Sequence, residues 1–97
     1  MILHAVVFTW KEDVKDADIS RLETDLHSLA ADVGAVSFET ARDGGFRAGA
    51  ADFVVLGRFA DEVTLLKYLE HPAHHQLLDN YARAMVERKE SVQAILN

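Results

Sequence analysis

The stretch Ile2-Leu3-His4-Ala5-Val6-Val7-Phe8-Thr9-Trp10 decides the fold, because it is apolar at both parities of an extended strand. Successive side chains of a strand point to opposite faces, so Ile2, His4, Val6, Phe8 and Trp10 share one face and Leu3, Ala5, Val7 and Thr9 share the other. One apolar face can be covered by helices. A second apolar face on an antiparallel sheet calls for a second cover, because such a sheet otherwise alternates apolar and polar positions. Phe53-Val54-Val55-Leu56 repeats the pattern, opening a strand that runs to Phe59.

Outward from β-like residues 2–10, Lys11 to Asp16 is a charged turn, and Asp16 or Asp18 can cap the helix that follows. Ile19, Leu22, Leu26, Leu29, Ala30 and Val33 recur at helical spacing, and Gly34 stands where a helix C-terminal glycine stands. Ala35 to Thr40 reads as a second strand and Arg42 to Asp52 as a glycine-rich hairpin loop. Asp61 can cap a short helix that ends near Tyr68-Leu69-Glu70, and Pro72 breaks or restarts it. Ala73 to Lys89 is predicted helical, with Leu77, Leu78, Tyr81, Met85 and Val86 as inward candidates, and Ser91 to Leu96 is predicted as the last strand.

The predicted order β-α-β-β-α-α-β is the split βαβ, or ferredoxin-like, arrangement of an α+β domain. It implies one domain over residues 1–97, with a four-stranded antiparallel sheet and its helices on one face. The uncovered face is worth roughly 25 cal/mol for each Å² of apolar surface removed from water. The simplest cover is a second copy of the chain, packed sheet on sheet as a two-fold homodimer; the alternative is a monomer with one apolar face.

Composition narrows the partners. Ten basic and sixteen acidic residues give a net charge of −6, and the basic residues are interspersed with acids, so neither nucleic acid nor an anionic membrane surface is an expected partner. The apolar start is too short to span a bilayer and lacks the pattern of a signal peptide, which makes a cytoplasmic location the expectation. There is no cysteine, hence no disulfide scaffold, thiolate metal site or cysteine nucleophile.

The ionisable residues that could carry chemistry are histidines and a tyrosine. His4 lies inside the first strand on the helix-covered face. Tyr68 and the cluster Glu70-His71-Pro72-Ala73-His74-His75 flank the junction of two helical segments that can pack over the same strand. A histidine beside a tyrosine can move protons on and off an enolisable carbonyl compound, since imidazole titrates near neutrality and a phenol can hydrogen-bond a developing oxyanion. The same residues could equally be satisfied core histidines with the phenol as partner. His71 and His74 are three apart, but Pro72 separates them and no cysteine completes a zinc site, so no metal and no cofactor are predicted. Gly44-Gly45 lacks the residues of a phosphate loop, and no nucleophile elbow or dinucleotide fingerprint occurs.

Met1-Ile2-Leu3-His4-Ala5-Val6-Val7-Phe8-Thr9-Trp10-Lys11 resembles the opening of the stress-responsive A/B barrel (Dabb) family, and Tyr68-Leu69-Glu70-His71-Pro72-Ala73-His74 resembles its Y-x-x-H-P-x-H signature. The resemblance spans nearly the whole chain and implies a ferredoxin-like protomer that forms a dimeric α+β barrel. Family members include plant stress-related proteins, bacterial proteins of unknown role, and a cofactor-independent polyketide cyclase whose pocket lies between sheet and helices. Carried over by the motif, the cyclase's catalytic histidine and tyrosine fall on His74 and Tyr68, and its pocket histidines on His4 and His71. A further pocket histidine falls on Phe53, where this sequence departs and makes the pocket more apolar. Phe8, on the His4 face, joins the predicted ligand-binding set. The resemblance thus implies a cofactor-free cyclase- or lyase-like enzyme acting on an enolisable carbonyl or polyketide-like compound. The alternatives are a non-catalytic stress-responsive or ligand-binding dimer and an antibiotic-biosynthesis-type monooxygenase, which shares the architecture.

Overall fold

The computed structural model describes residues 1–97. Its elements are β1 (Ile2–Trp10), α1 (Asp16–Val33), β2 (Ser37–Arg42), β3 (Phe53–Phe59), α2 (Glu62–Glu70), α3 (Pro72–Leu77) and β4 (Val86–Ile95). Between α3 and β4 the chain stays helical, through a π-helical turn (Leu78–Ala82) and a last α-helical turn (Arg83–Met85). The strands form one antiparallel sheet in the order β2-β3-β1-β4, which is the ferredoxin-like α+β fold that the alternation of periods predicts.

Register sets the two faces. Phe8 lies opposite Phe53, Val6 opposite Val55, and His4 opposite Gly57. On β3 every position of this parity is buried, and the positions between are only half-buried. Ile19, Leu22, Leu26 and Leu29 of α1 close over them, joined by Leu65 and Tyr68 of α2. Removing one such leucine side chain to alanine typically costs about 2–5 kcal/mol, so this layer holds α1 in place. α1 ends where Gly34 adopts φ 79°, a left-handed conformation that a Cβ would penalise.

Three boundaries differ from expectation. Neither Asp16 nor Asp18 caps α1; the N-cap is Lys15, without a side-chain bond, and both aspartates sit in the first turn, where the helix dipole favours them. β2 begins at Ser37 rather than Ala35, because the Ala35 N–H still bonds to the Ala30 carbonyl. It runs on to Arg42, whose guanidinium reaches Asp16 at 3.0 Å and thereby ties the end of β2 to the start of α1. The largest difference is β4. Residues 86–90 carry strong helix formers, yet they pair with β1, down to Val86 opposite Trp10 across a bulge. Pairing with an existing strand overrides local helix preference here.

The far face of the sheet is also apolar, and the β2–β3 hairpin loop reaches it only around Val7 and Val54. Leu3, Ala5, Val7, Val54, Leu56 and Val92 share it by register, and Val7 and Val92 are 40% and 57% exposed.

Candidate functional site

His4 is the one buried histidine and sits in the middle of the sheet. Its Nδ1 accepts from the Gln93 side-chain amide of β4 at 2.9 Å, which leaves Nε2 to carry the proton of the neutral ring. Opposite it, Gly57 has a packing role. A Cβ there would come within 2.9 Å of the Phe59 ring and 3.2 Å of the Phe38 ring. Without one, both rings settle onto the sheet and hold Tyr68 of α2, with centroids 5.3 and 5.8 Å from its ring. Tyr68 is 1% exposed, yet its hydroxyl takes no part in any of the protein's side-chain hydrogen bonds.

The helix junction separates the two signature histidines. His71 caps α3: its Nδ1 accepts from the Ala73 N–H at 3.0 Å, and Pro72 occupies the first helical position, where its missing N–H costs nothing. The His71 Nε2 faces outward, 3.4 Å from an Asp32 carboxylate oxygen, in an open basin of about 510 Å³ between α1 and α3. His74 points inward. Its ring centroid is 5.1 Å from that of Tyr68, and Tyr68 is in turn 5.7 Å from His4, so the three rings form one edge-to-face row. The His74 Nδ1 is buried and has no hydrogen-bond partner.

This row forms part of the wall of a cavity of about 270 Å³ between the sheet and the helices. Leu22 and Leu26 of α1 line it, as do Leu77 and Leu78 at the end of α3. The π turn places Tyr81 against it as well, and the Tyr81 hydroxyl donates to Asp25 at 2.8 Å, pinning that turn to α1. Such turns are rare in helices and frequent at functional sites.

Burial sets the protonation states. It lowers the pKa of His4, and it lowers that of His74 to about 4, with electrostatic repulsion from neighbouring groups, Lys89 among them, adding to the burial. It raises that of the Tyr68 phenol. At neutral pH the row is therefore two neutral imidazoles and a protonated phenol: a proton acceptor beside a hydrogen-bond donor, neither with its chemistry spent on the protein.

Of the sequence-predicted residues, the fold brings together His4, Tyr68, His74 and Phe8 around the cavity and leaves two outside. His71 faces the outer basin. Phe53 is 2% exposed and packs on Phe8 and Trp10 beyond the cavity's end, at 6.0 and 5.3 Å between centroids. No three histidine or acidic side chains converge in a way that could hold a metal ion. Sequence reasoning missed the β4 wall, made of Lys89, Ser91 and Gln93, because Lys89 falls within the predicted helix.

Residues 2–94 match the Stress responsive A/B Barrel Domain (Dabb) family. The chain belongs to that family. This Dabb domain is similar to a dimeric ferredoxin-like protein of unknown function from Thermobifida fusca, at 29% identity and TM-score 0.85, over 98% of this chain and 90% of that one. It is also similar to a Dabb family protein with a ferredoxin-like fold from Mesorhizobium loti, at 26% identity and TM-score 0.79, over 99% and 96% of the two chains. A hydroxynitrile lyase from Passiflora edulis shares the fold at 17% identity and TM-score 0.84, over 99% and 93%. No curated protein matches the sequence. No helix is long and apolar enough to cross a membrane.

Proposed function

We propose that this Dabb domain is a cofactor-independent enzyme that moves a proton on an enolisable carbonyl compound of the polyketide-like kind, with His74 as the base and Tyr68 as the oxyanion donor. The observation that carries this reading is a pair of lining residues of an apolar cavity, His74 with a buried Nδ1 that has no hydrogen-bond partner and, edge-to-face with it, Tyr68 with a hydroxyl bonded to no protein group. Buried polar groups kept only for structure are normally hydrogen-bonded, and leaving one unpaired costs about 1–3 kcal/mol. That is a cost a purely structural histidine would have no reason to carry, and it disfavours the non-catalytic reading.

The step balances within the cavity. The proton on the carbon next to the carbonyl passes to the neutral imidazole of His74. The electron pair moves onto the carbonyl oxygen, where the Tyr68 O–H stabilises the enolate by donating to it. Ring closure or cleavage follows from the enolate, and the imidazolium returns its proton. A base with a pKa near 4 is a weak one, but an enolate forming alongside favours the imidazolium and strengthens it when strength is needed. His4 and Phe8 contribute surface and shape to the binding site.

The working unit we propose is a homodimer, which the dimeric relative from Thermobifida fusca supports, packed through the apolar face that register assigns to Leu3, Ala5 and Val7. Val7→Asp would place two like charges in an apolar interface, and sedimentation equilibrium should then show a monomer; an unchanged dimer would mean that another face pairs.

The activity test is exchange. The protein is incubated in D₂O with simple methyl ketones and 3-oxo esters, and proton NMR follows deuterium entering next to the carbonyl. Exchange above the buffer rate that disappears in both Tyr68→Phe and His74→Ala is the expected result. Exchange that survives both substitutions would sink the proposal.

A further inference from the structure

The cavity has an uneven charge make-up. The protein carries sixteen acidic residues against ten basic ones, and acids line the other hollows of the surface: Asp25 and Asp32 in the outer basin, and Glu12, Asp13 and Asp18 beside the end of β1. None of the 17 residues around the cavity is acidic, and Lys89 is the only lysine or arginine among them. Lys89 forms none of the protein's salt bridges. By register it lies opposite Phe8 on the helix-covered face of β4, followed on that face by Ser91 opposite Val6 and Gln93 opposite His4. All three are exposed as residues while lining the cavity; Gln93 is engaged by its bond to His4, which leaves Lys89 as the one charged side chain in this stretch of the lining.

Taking the cavity as the ligand site argued above, we propose that Lys89 selects a ligand that carries a carboxylate at one end and an apolar body, the carboxylate meeting the lysine at the cavity mouth while the body extends toward Tyr68 and His74. Lys89 is exposed as a residue, and its aliphatic stem can line the wall while the ammonium stays at the entrance. A single cation in a wall free of acids favours an anion and imposes one direction of entry. The reacting carbonyl of such a ligand lies within its body, away from the carboxylate. β4 is an edge strand, and an inward-pointing lysine on an edge can instead serve only to discourage pairing with other chains.

Octanoate and octanamide, which match in shape and differ in charge, separate these roles. Binding is measured by calorimetry, and the ring resonances of His4 and His74 report whether the probe sits in the cavity. Octanoate should bind the native protein about tenfold tighter than octanamide, as expected for one hydrogen bond to a charged group. Lys89→Met should bring octanoate down to the amide's affinity and leave the amide unchanged, and Lys89→Arg should keep the preference. Equal affinities in the native protein, or a preference that survives Lys89→Met, would overturn the role of Lys89 while leaving the cavity as a ligand site. Self-association of Lys89→Met with unaltered affinities would assign the lysine to edge protection and overturn it too. Failure of both probes to reach the cavity would overturn the cavity reading together with this one.

Discussion

Two hollows flank α3, and the two signature histidines divide between them. The outer one is larger and open, and its histidine is engaged by the fold: the His71 Nδ1 caps the helix, and its Nε2 lies 3.4 Å from an Asp32 carboxylate oxygen. The inner one is smaller and mostly apolar, and its histidine is idle: the buried His74 Nδ1 touches no partner. The difference teaches that the size of a hollow and membership of a signature motif are poor guides to reactivity within one segment. What separates the two residues is whether the protein has already satisfied them. A histidine whose ring nitrogen caps a helix cannot also take up a proton there without loosening that cap.

The sharpest way to break this comparison is to remove each histidine in turn. If the division holds, His74→Ala should lower deuterium exchange about a hundredfold or more, the usual yield of a positioned general base. His71→Ala should leave the exchange rate within a factor of about two and lower stability by about 1 kcal/mol, the usual loss on removing a side chain that caps a helix, read from urea midpoints. A large activity loss in His71→Ala would dissolve the distinction.

A pH titration probes the same contrast at intermediate effect. His74 has its pKa lowered from 6.5 to about 4, so as pH falls below 6.5 the unfolded chain takes up a proton that the folded chain still refuses. Stability should therefore decline between pH 6.5 and about 4 and level off below that for this group, with His4 acting in the same direction. Denaturation midpoints at pH 7 and pH 4.5 should draw together in His74→Gln, and a gap unchanged from the native protein would mean that other groups govern it.

The smallest expected effect on stability concerns Tyr68. Its ring is held by Phe38 and Phe59, whereas its hydroxyl has no protein partner. Tyr68→Phe should thus abolish exchange but shift stability by no more than about 0.5 kcal/mol, because nothing in the fold loses a hydrogen bond. A thermal scan showing a large loss would return the hydroxyl to a structural role.

Much of this was legible in the sequence. β1, β3 and α1 each carry one clean period over many residues, and the parity that puts His4 beside Val6 also puts it under the helices. The signature segment drew attention to Tyr68 and His74, which the fold does bring to His4. The rest was hidden for local reasons. Glu87-Arg88-Lys89-Glu90 alternates in nothing a sequence can display, and only the ladder with β1 reveals which of these residues face inward. Phe53 shares the parity of the site but sits past its end, a question of position along the strand that periodicity cannot answer. The opposite directions of His71 and His74 depend on the cap bond from the Ala73 N–H to the His71 ring, which spacing alone does not encode.

The passage from Met85 to Val86 has no loop: the last helical turn becomes β4 in a single residue, with the Met85 carbonyl clamped by the Lys11 N–H. The roof that carries His74 and the wall that carries Lys89 therefore share one peptide joint. Because strand side chains alternate, adding or deleting one residue at that joint, with β1 still paired, would turn β4 over. Lys89, Ser91 and Gln93 would leave the cavity, and the parity of Glu90 and Val92 would enter it. Chain length at this joint should be far less tolerant of insertion and deletion than in the β2–β3 hairpin, and a gain or loss of one residue there would reverse the electrical character of the site in a single event.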